Sequence, residues 1–110
     1  MKYYDDSRMA GLRKALEEKI MEWPGVTSKP MMGCLCYFRG RKFFAILVTN
    51  GIVIARADPG DRAKLSKMEG SKPFVIGGRT SSRWTQNALN DLRDLTPLWP
   101  YIRRSFEAAS

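Results

Sequence analysis

Two cysteines separated by one residue, Cys34 and Cys36, are the first pair in this sequence that could do chemistry. On a β-strand, residues two apart share a face, so the pair would offer two thiolates together, as a soft-metal or redox site requires. A zinc site takes four ligands, and the chain holds no histidine and no third cysteine to complete one. The spacing also differs from that of redox dithiols, and a bridge across a single residue would demand strained geometry. The expectation is two free thiols packed as small apolar residues in a reducing compartment, with no metal bound.

The segment Gly77-Gly78-Arg79-Thr80-Ser81-Ser82 is the next candidate. Successive glycines can turn backbone N–H groups toward an anion, and Arg79 would add charge. The segment lacks the lysine-hydroxyl ending of a nucleotide-binding P-loop, and its composition fits a flexible connection between strands. Glu17-Glu18, and Asp91 with Asp94, have the residue types of acid–base pairs. Each sits among basic partners on a predicted helix, where a solvated helix surface is expected. Without histidine there is no Ser-His-Asp triad and no Cys-His pair. Ser66, Ser81, Ser82 and Ser105 have no recognisable base, and no motif singles out a lysine. No catalytic residue and no cofactor are expected.

The aromatic residues Tyr37, Phe38, Phe43 and Phe44 flank Arg39, Arg41 and Lys42. This is a composition that can stack bases beside a basic edge; the same residues also suit a core next to a turn kept soluble by its charges. The charge distribution bears on the choice. The chain has 19 Lys plus Arg against 11 Asp plus Glu, a net charge of +8. Residues 1–22 balance five basic against five acidic side chains, and residues 58–69 and 91–110 each balance three against three. Residues 23–57 carry Lys29, Arg39, Arg41, Lys42 and Arg56 with no acid, and residues 70–90 carry Lys72, Arg79 and Arg83 with none. The whole surplus lies outside the predicted helices. The candidate residues for binding an anion, a nucleic acid or another partner are therefore Arg39, Arg41, Lys42, Arg56, Arg79 and Arg83.

The elements that must position these residues follow from spacing. Met9, Leu12, Leu16 and Ile20 step along one face of a helix over residues 7–22, with Asp5 and Asp6 at its positive end. Trp23-Pro24-Gly25 stops it. Residues 31–57 read as a three-stranded antiparallel meander with turns at Gly40-Arg41 and Asn50-Gly51. Two-residue turns there pair Phe38 with Phe43, Cys36 with Ala45, Cys34 with Leu47, Val48 with Val53 and Leu47 with Ile54. They place Leu35, Tyr37, Phe44, Ile46, Val48, Val53, Ala55 and Ala57 on the core face. Cys34, Cys36, Phe38, Phe43, Ala45, Leu47, Ile52 and Ile54 then share the other face, which is also apolar. A sheet with one wet face alternates more cleanly, so that face is expected to be covered by a terminal segment or by another subunit. Asp58-Pro59 opens a short helix with Leu65 and Met68 inward. Residues 72–76 form a strand, 77–82 a loop and 83–89 a final strand carrying Trp84. Leu95, Trp99, Ile102 and Phe106 mark a last helix; Pro100 either distorts a start at Thr96-Pro97 or moves the regular helix later.

The length fits one domain, residues 1–110, and 44% hydrophobic content argues against disorder. The fold class expected is α+β: a two-layer sandwich of an antiparallel sheet with N-terminal, middle and C-terminal helices. The polar start Met1-Lys2-Tyr3-Tyr4-Asp5-Asp6 is unlike a signal peptide, and the longest apolar run, Phe43 to Val48, is too short to span a bilayer. A cytoplasmic protein without membrane contact is expected.

Met31-Met32-Gly33-Cys34-Leu35-Cys36-Tyr37-Phe38, then Gly40, then Lys42-Phe43-Phe44-Ala45, resembles the TfoX N-terminal-domain family, with Met32 where that family usually has phenylalanine. Asp61-Arg62-Ala63, Lys72-Pro73-Phe74 and Trp84 fit the same pattern. Trp23-Pro24-Gly25-Val26-Thr27 and Arg104-Ser105-Phe106-Glu107 are similar to the related YjbR-like proteins. The resemblance implies a two-layer domain of antiparallel sheet and helices. It also implies a regulator of competence-gene expression acting with transcription factors. The family usually joins this domain to a C-terminal helical one, and it offers no catalytic residues to carry over. Two functions are therefore expected in order: a non-enzymatic regulatory or adaptor domain that binds a protein partner and forms a homodimer through a sheet face, then a nucleic-acid-binding protein using the basic hairpin and the 79–83 loop.

Overall fold

Helix α1, Asp6–Ile20, buries the four residues its spacing puts on one stripe: Met9, Leu12, Leu16 and Ile20. Asp5 caps it, its carboxylate accepting from the Ser7 N–H at 3.1 Å and from the Ser7 hydroxyl at 2.7 Å. The helix ends in a reversal through Gly25, at φ +78°. The computed structural model describes all 110 residues and shows an α+β fold in which one six-stranded antiparallel sheet carries all the helices on one face.

The strands are β1 Val26–Met31, β2 Cys34–Arg39, β3 Lys42–Val48, β4 Gly51–Ile54, β5 Lys72–Ile76 and β6 Arg79–Ala88, in the spatial order β1-β2-β3-β4-β6-β5. Strand β1 is absent from the sequence reading, which begins the meander at residue 31. Its residues are mostly exposed, and it carries Pro30 opposite Leu35. A proline lacks the ladder N–H, so it fits an edge strand that gives no alternating signal. Met32 and Gly33, both at positive φ, close the β1–β2 turn.

The predicted pairing of Phe38 with Phe43 across the Gly40-Arg41 turn is present. Beyond it the register departs from expectation: Tyr37 faces Ala45, Cys36 faces Ile46 and Leu35 faces Leu47. A β-bulge makes the difference, with Phe44 as the extra residue on β3. Phe44 and Ala45 consequently both join the helix-side core. Alternation after the bulge is reversed. Leu47, Ile52 and Ile54 pack under the helices, while Ile46, Val48 and Val53 join Cys34 and Cys36 on the opposite face. The expected faces were therefore exchanged for these residues.

The β3–β4 turn is Thr49-Asn50, not Asn50-Gly51, so Val48 pairs with Gly51, Leu47 with Ile52 and Ile46 with Val53. Gly51 serves close approach of strands. It faces Ala88 of β6, and a Cβ there would lie 2.6 Å from Gln86 Nε2. Asn50, at φ +60°, supplies the left-handed turn residue.

Gly77 and Gly78 are both left-handed, at φ +58° and +76°, and pair Ile76 directly with Arg79. Residues 79–82 are thus the first part of β6, a correction to the loop expected there. The β5–β6 hairpin joins the sheet only where 86–88 pair with β4, and it swings Phe74 and Trp84 across the second apolar face. Phe74 is fully buried there against Cys34, Cys36, Ile46, Val48 and Val53, and Tyr3 closes the far side. The Tyr3 hydroxyl accepts from the Gly77 N–H at 2.9 Å. The chain itself covers this face, using a hairpin and a terminal residue.

Helix α2, Pro59–Ser66, is capped by Asp58, which accepts from the Asp61 N–H at 2.7 Å. A 3₁₀ segment, Leu92–Leu98, precedes helix α3, Trp99–Ala108, so the regular helix begins late, with Pro100 in its first turn. Phe106 of α3 packs on Trp23 and Phe44 with ring centroids 5.0 and 5.5 Å away. No helix is long and apolar enough to cross a membrane.

Candidate anion-binding cleft

The five ion pairs of the molecule all join helical segments: Arg13 with Asp6 and Glu17, Arg93 with Asp91, Arg103 with Glu107, and Arg104 with Asp61. None of the eight surplus cations in the sheet and its loops takes part in one. Their charge is left for solvent or for a partner.

Three arginines converge on one open cleft of about 560 Å³. Arg56 comes from the segment after β4, Arg62 from α2 and Arg83 from β6, and no acidic residue lines the cleft. Each is placed by a specific local device. The Arg56 backbone N–H donates to the Ser105 hydroxyl at 2.9 Å, and its Nε donates to the Phe43 carbonyl at 2.8 Å, with the guanidinium 5.7 Å from the Phe43 ring centre. The Ser105 hydroxyl in turn donates to the Phe44 carbonyl at 2.7 Å, so one side chain of α3 bridges β3 to the segment that follows β4. Arg62 follows the Asp58 cap by one helical turn and donates to the Arg83 carbonyl at 3.4 Å. Ser81 Oγ accepts from the N–H groups of Arg83 and Trp84 at 3.1 and 2.9 Å, which fixes how this part of β6 presents its side chains. Trp84 Nε1 donates to the Ala55 carbonyl at 3.2 Å, so the indole is locked in the wall.

Two of the six sequence-predicted residues, Arg56 and Arg83, meet here. The other four lie elsewhere. Arg39 turns to the helix side, 4.3 Å over the Phe106 ring, and donates to the Phe106 carbonyl at 3.2 Å. Lys42 reaches the Ser110 carbonyl at 3.4 Å, a cation near the negative end of α3. Arg41 lies at the β2–β3 turn in a second cleft of about 410 Å³, lined also by Lys29 and Phe38. Arg79 is at the β5–β6 turn, four residues and so about 13 Å along the strand from Arg83.

An aromatic row connects the two clefts. Phe38 packs edge-on against Phe43 at 6.1 Å, and Phe43 edge-on against Trp84 at 5.5 Å. All three are half-buried. Lys29 and Arg41 stand at one end of the row and Arg56, Arg62 and Arg83 at the other.

Arg62 is the residue that sequence counting misses. Its segment is neutral on paper, but Asp61 is turned inward and held by Arg104 through two bonds of 2.7 and 3.2 Å. The local sum therefore conceals a guanidinium with no carboxylate partner. The cysteines belong to the second core: both are buried and free. Burial pushes the Cys34 thiol up and raises Cys36 to about 11, so neither is a thiolate at neutral pH. A partly buried polar chain links α1 to the sheet, with Tyr37 Oη donating to Glu17 at 2.8 Å and Arg13 bridging Glu17 and Asp6. It holds elements together and opens on none of the arginine-lined space. Neither a protein-family model nor a curated protein matches the sequence.

Proposed function

We propose that this chain is a non-enzymatic recognition domain that binds single-stranded nucleic acid along the row Phe38, Phe43 and Trp84. The observation that carries this reading is the continuity of that row with cations at both ends and no carboxylate lining either cleft. Aromatic rings accept bases of any sequence, and flanking cations track the phosphates. The reading ranks nucleic acid above the protein partner and homodimer expected first, because the apolar sheet face that motivated them is occupied by the β5–β6 hairpin. A regulatory role of the kind implied by the TfoX resemblance, exercised in the cytoplasm, belongs to the same proposal.

Titration of a labelled single-stranded oligonucleotide at two salt concentrations tests it. With Lys29, Arg41, Arg56, Arg62 and Arg83 at phosphates, the slope of log K against log salt is about −3.5, a loss of about 100-fold from 50 to 200 mM. Phe38→Ala weakens binding with the slope unchanged, whereas Arg41→Glu with Arg83→Glu flattens the slope. Absence of binding at low salt defeats the reading. Affinity for an acidic protein surface that ignores Phe38→Ala would return the protein partner to first place.

A further inference from the structure

We infer that the Arg56–Arg62–Arg83 cleft is a phosphomonoester site, built for the terminal phosphate of a 5′-phosphorylated strand or of a free mononucleotide. The strand-end source rests on the nucleic-acid reading above; the phosphomonoester chemistry does not.

Charge is the first argument. Three arginines line one concavity with no acid among them, more positive charge than one bridging phosphodiester can neutralise. A terminal phosphate carries about −1.5 to −2 charge and three acceptor oxygens, which matches three fork-shaped donors. The nearest acids do not compensate this charge. Asp61 is held by Arg104, and Glu107 of α3 is held by Arg103 at 3.5 Å. Asp58 is engaged as the α2 cap.

Shape is the second argument. The walls come from β3, the 55–57 segment, α2, β6 and the last turn of α3 at Ala108. Arginines from three separate segments can share one compact terminal group more readily than a strand passing through. Its volume, about 560 Å³, lies within the range of small-ligand pockets.

Preorganisation is the third argument. Arg56 is anchored through Nε, which leaves its terminal nitrogens as donors. Arg62 is held against the β6 wall by its bond to the Arg83 carbonyl at 3.4 Å. A pre-placed donor set loses less entropy on binding than one that must be gathered.

The test compares one single-stranded 10-mer with a 5′-phosphate or a 5′-hydroxyl by fluorescence anisotropy. Adenosine monophosphate and inorganic phosphate serve as competitors. The ¹⁵N-resolved Trp84 Nε1–H reports the cleft directly. The phosphorylated end is expected to bind about tenfold more tightly, the effect of one added charge-assisted contact. Arg62→Gln and Arg83→Gln, both at exposed positions, remove that preference while the circular dichroism spectrum stays unchanged. The preference also falls about fourfold from pH 7.5 to 5.5, because the ligand's second pKa is near 6. The cleft faces the ligand with Arg56, Arg62 and Arg83, with Asp58 and Asp61 on α2 behind them, and the chain has no histidine to titrate in that window. Equal affinity for the two ends overturns this inference and leaves the nucleic-acid reading standing. Monophosphate binding without oligonucleotide binding supports the cleft and overturns that reading. Failure of every phosphate-bearing probe to move the Trp84 signal overturns the inference.

Discussion

Ser105→Ala isolates the joint on which the cleft depends. The Ser105 hydroxyl is fully buried, donates to the Phe44 carbonyl at 2.7 Å and accepts from the Arg56 N–H at 2.9 Å. After its removal Phe44 keeps the Ala55 N–H at 3.0 Å, but the Arg56 N–H loses its acceptor. A net hydrogen bond contributes about 1 kcal/mol, and a buried unpaired donor costs about 1–3 kcal/mol. Alanine recovers about 0.5 kcal/mol of helix propensity within α3. The expected loss is therefore about 2 kcal/mol, read as a fall in thermal midpoint of about 10 °C for a domain of this size. Urea unfolding followed at 222 nm gives the free energy directly, with the m-value expected to stay constant. Ser66→Ala is the control: that hydroxyl is on an exposed residue of α2 and bonds only the Ala63 carbonyl, so its change is expected within about 0.5 kcal/mol. A Ser105→Ala loss no larger than the control's would refute the claim that one hydroxyl ties α3 to the end of the β3–β4 pair. Arg56 should also lose definition, so oligonucleotide affinity should fall in the folded variant.

Gly51→Ala should destabilise by about 1–3 kcal/mol by overpacking, because the new methyl meets Gln86; Gln86→Ala in the same chain should recover most of it, as urea unfolding would reveal. In alkali the sign follows from the raised thiols. Cys36 moves from 9.0 to about 11 through burial, so the folded state keeps its proton longer; stability is full below pH 9 and is lost as pH rises toward 11. Cys36→Ala should flatten the pH dependence of the thermal midpoint across that interval. Tyr4, raised to about 12 by burial and by its bond to Asp6, extends the decline above pH 10. In acid, hydrogen bonds hold the Asp5, Asp6 and Asp91 carboxyls below 3.8, so their contribution is present above that value and lost as pH falls through the lowered range. Both thiols should ignore an aromatic disulfide reagent at pH 8 until denaturant is added.

Much of the fold was readable, and for identifiable reasons. The α1 stripe, the Gly40-Arg41 turn and the Asp58-Pro59 start each place strong local preference and burial in agreement. The failures also have physical causes. One bulged residue, Phe44, reverses the face assignments from Ala45 to Ile54, and no periodicity in Phe43-Phe44-Ala45 announces it. Asn50-Gly51 has the residues of a turn, but β6 needs Gly51 for close packing, and a tertiary contact overrides the local signal. For the cleft, counting charges found Arg56 and Arg83. It could not find Arg62, because which of two neighbours Asp61 holds is decided by α3, more than forty residues away.

The β5–β6 hairpin carries Phe74, which plugs the second core, and Arg83 with Trp84, which wall the cleft. One ribbon thus serves as both stopper and recognition surface. A ligand that grips Arg83 also presses the stopper home, so occupancy should slow solvent exchange at the amides of Cys34 to Cys36, which the stopper covers. A substitution at Phe74 that loosens the plug should weaken binding through Trp84, whose ring it packs against at 6.2 Å, although Phe74 itself does not line the cleft. Stability and recognition in this protein are not separable along that ribbon, and its residues are not free to vary independently.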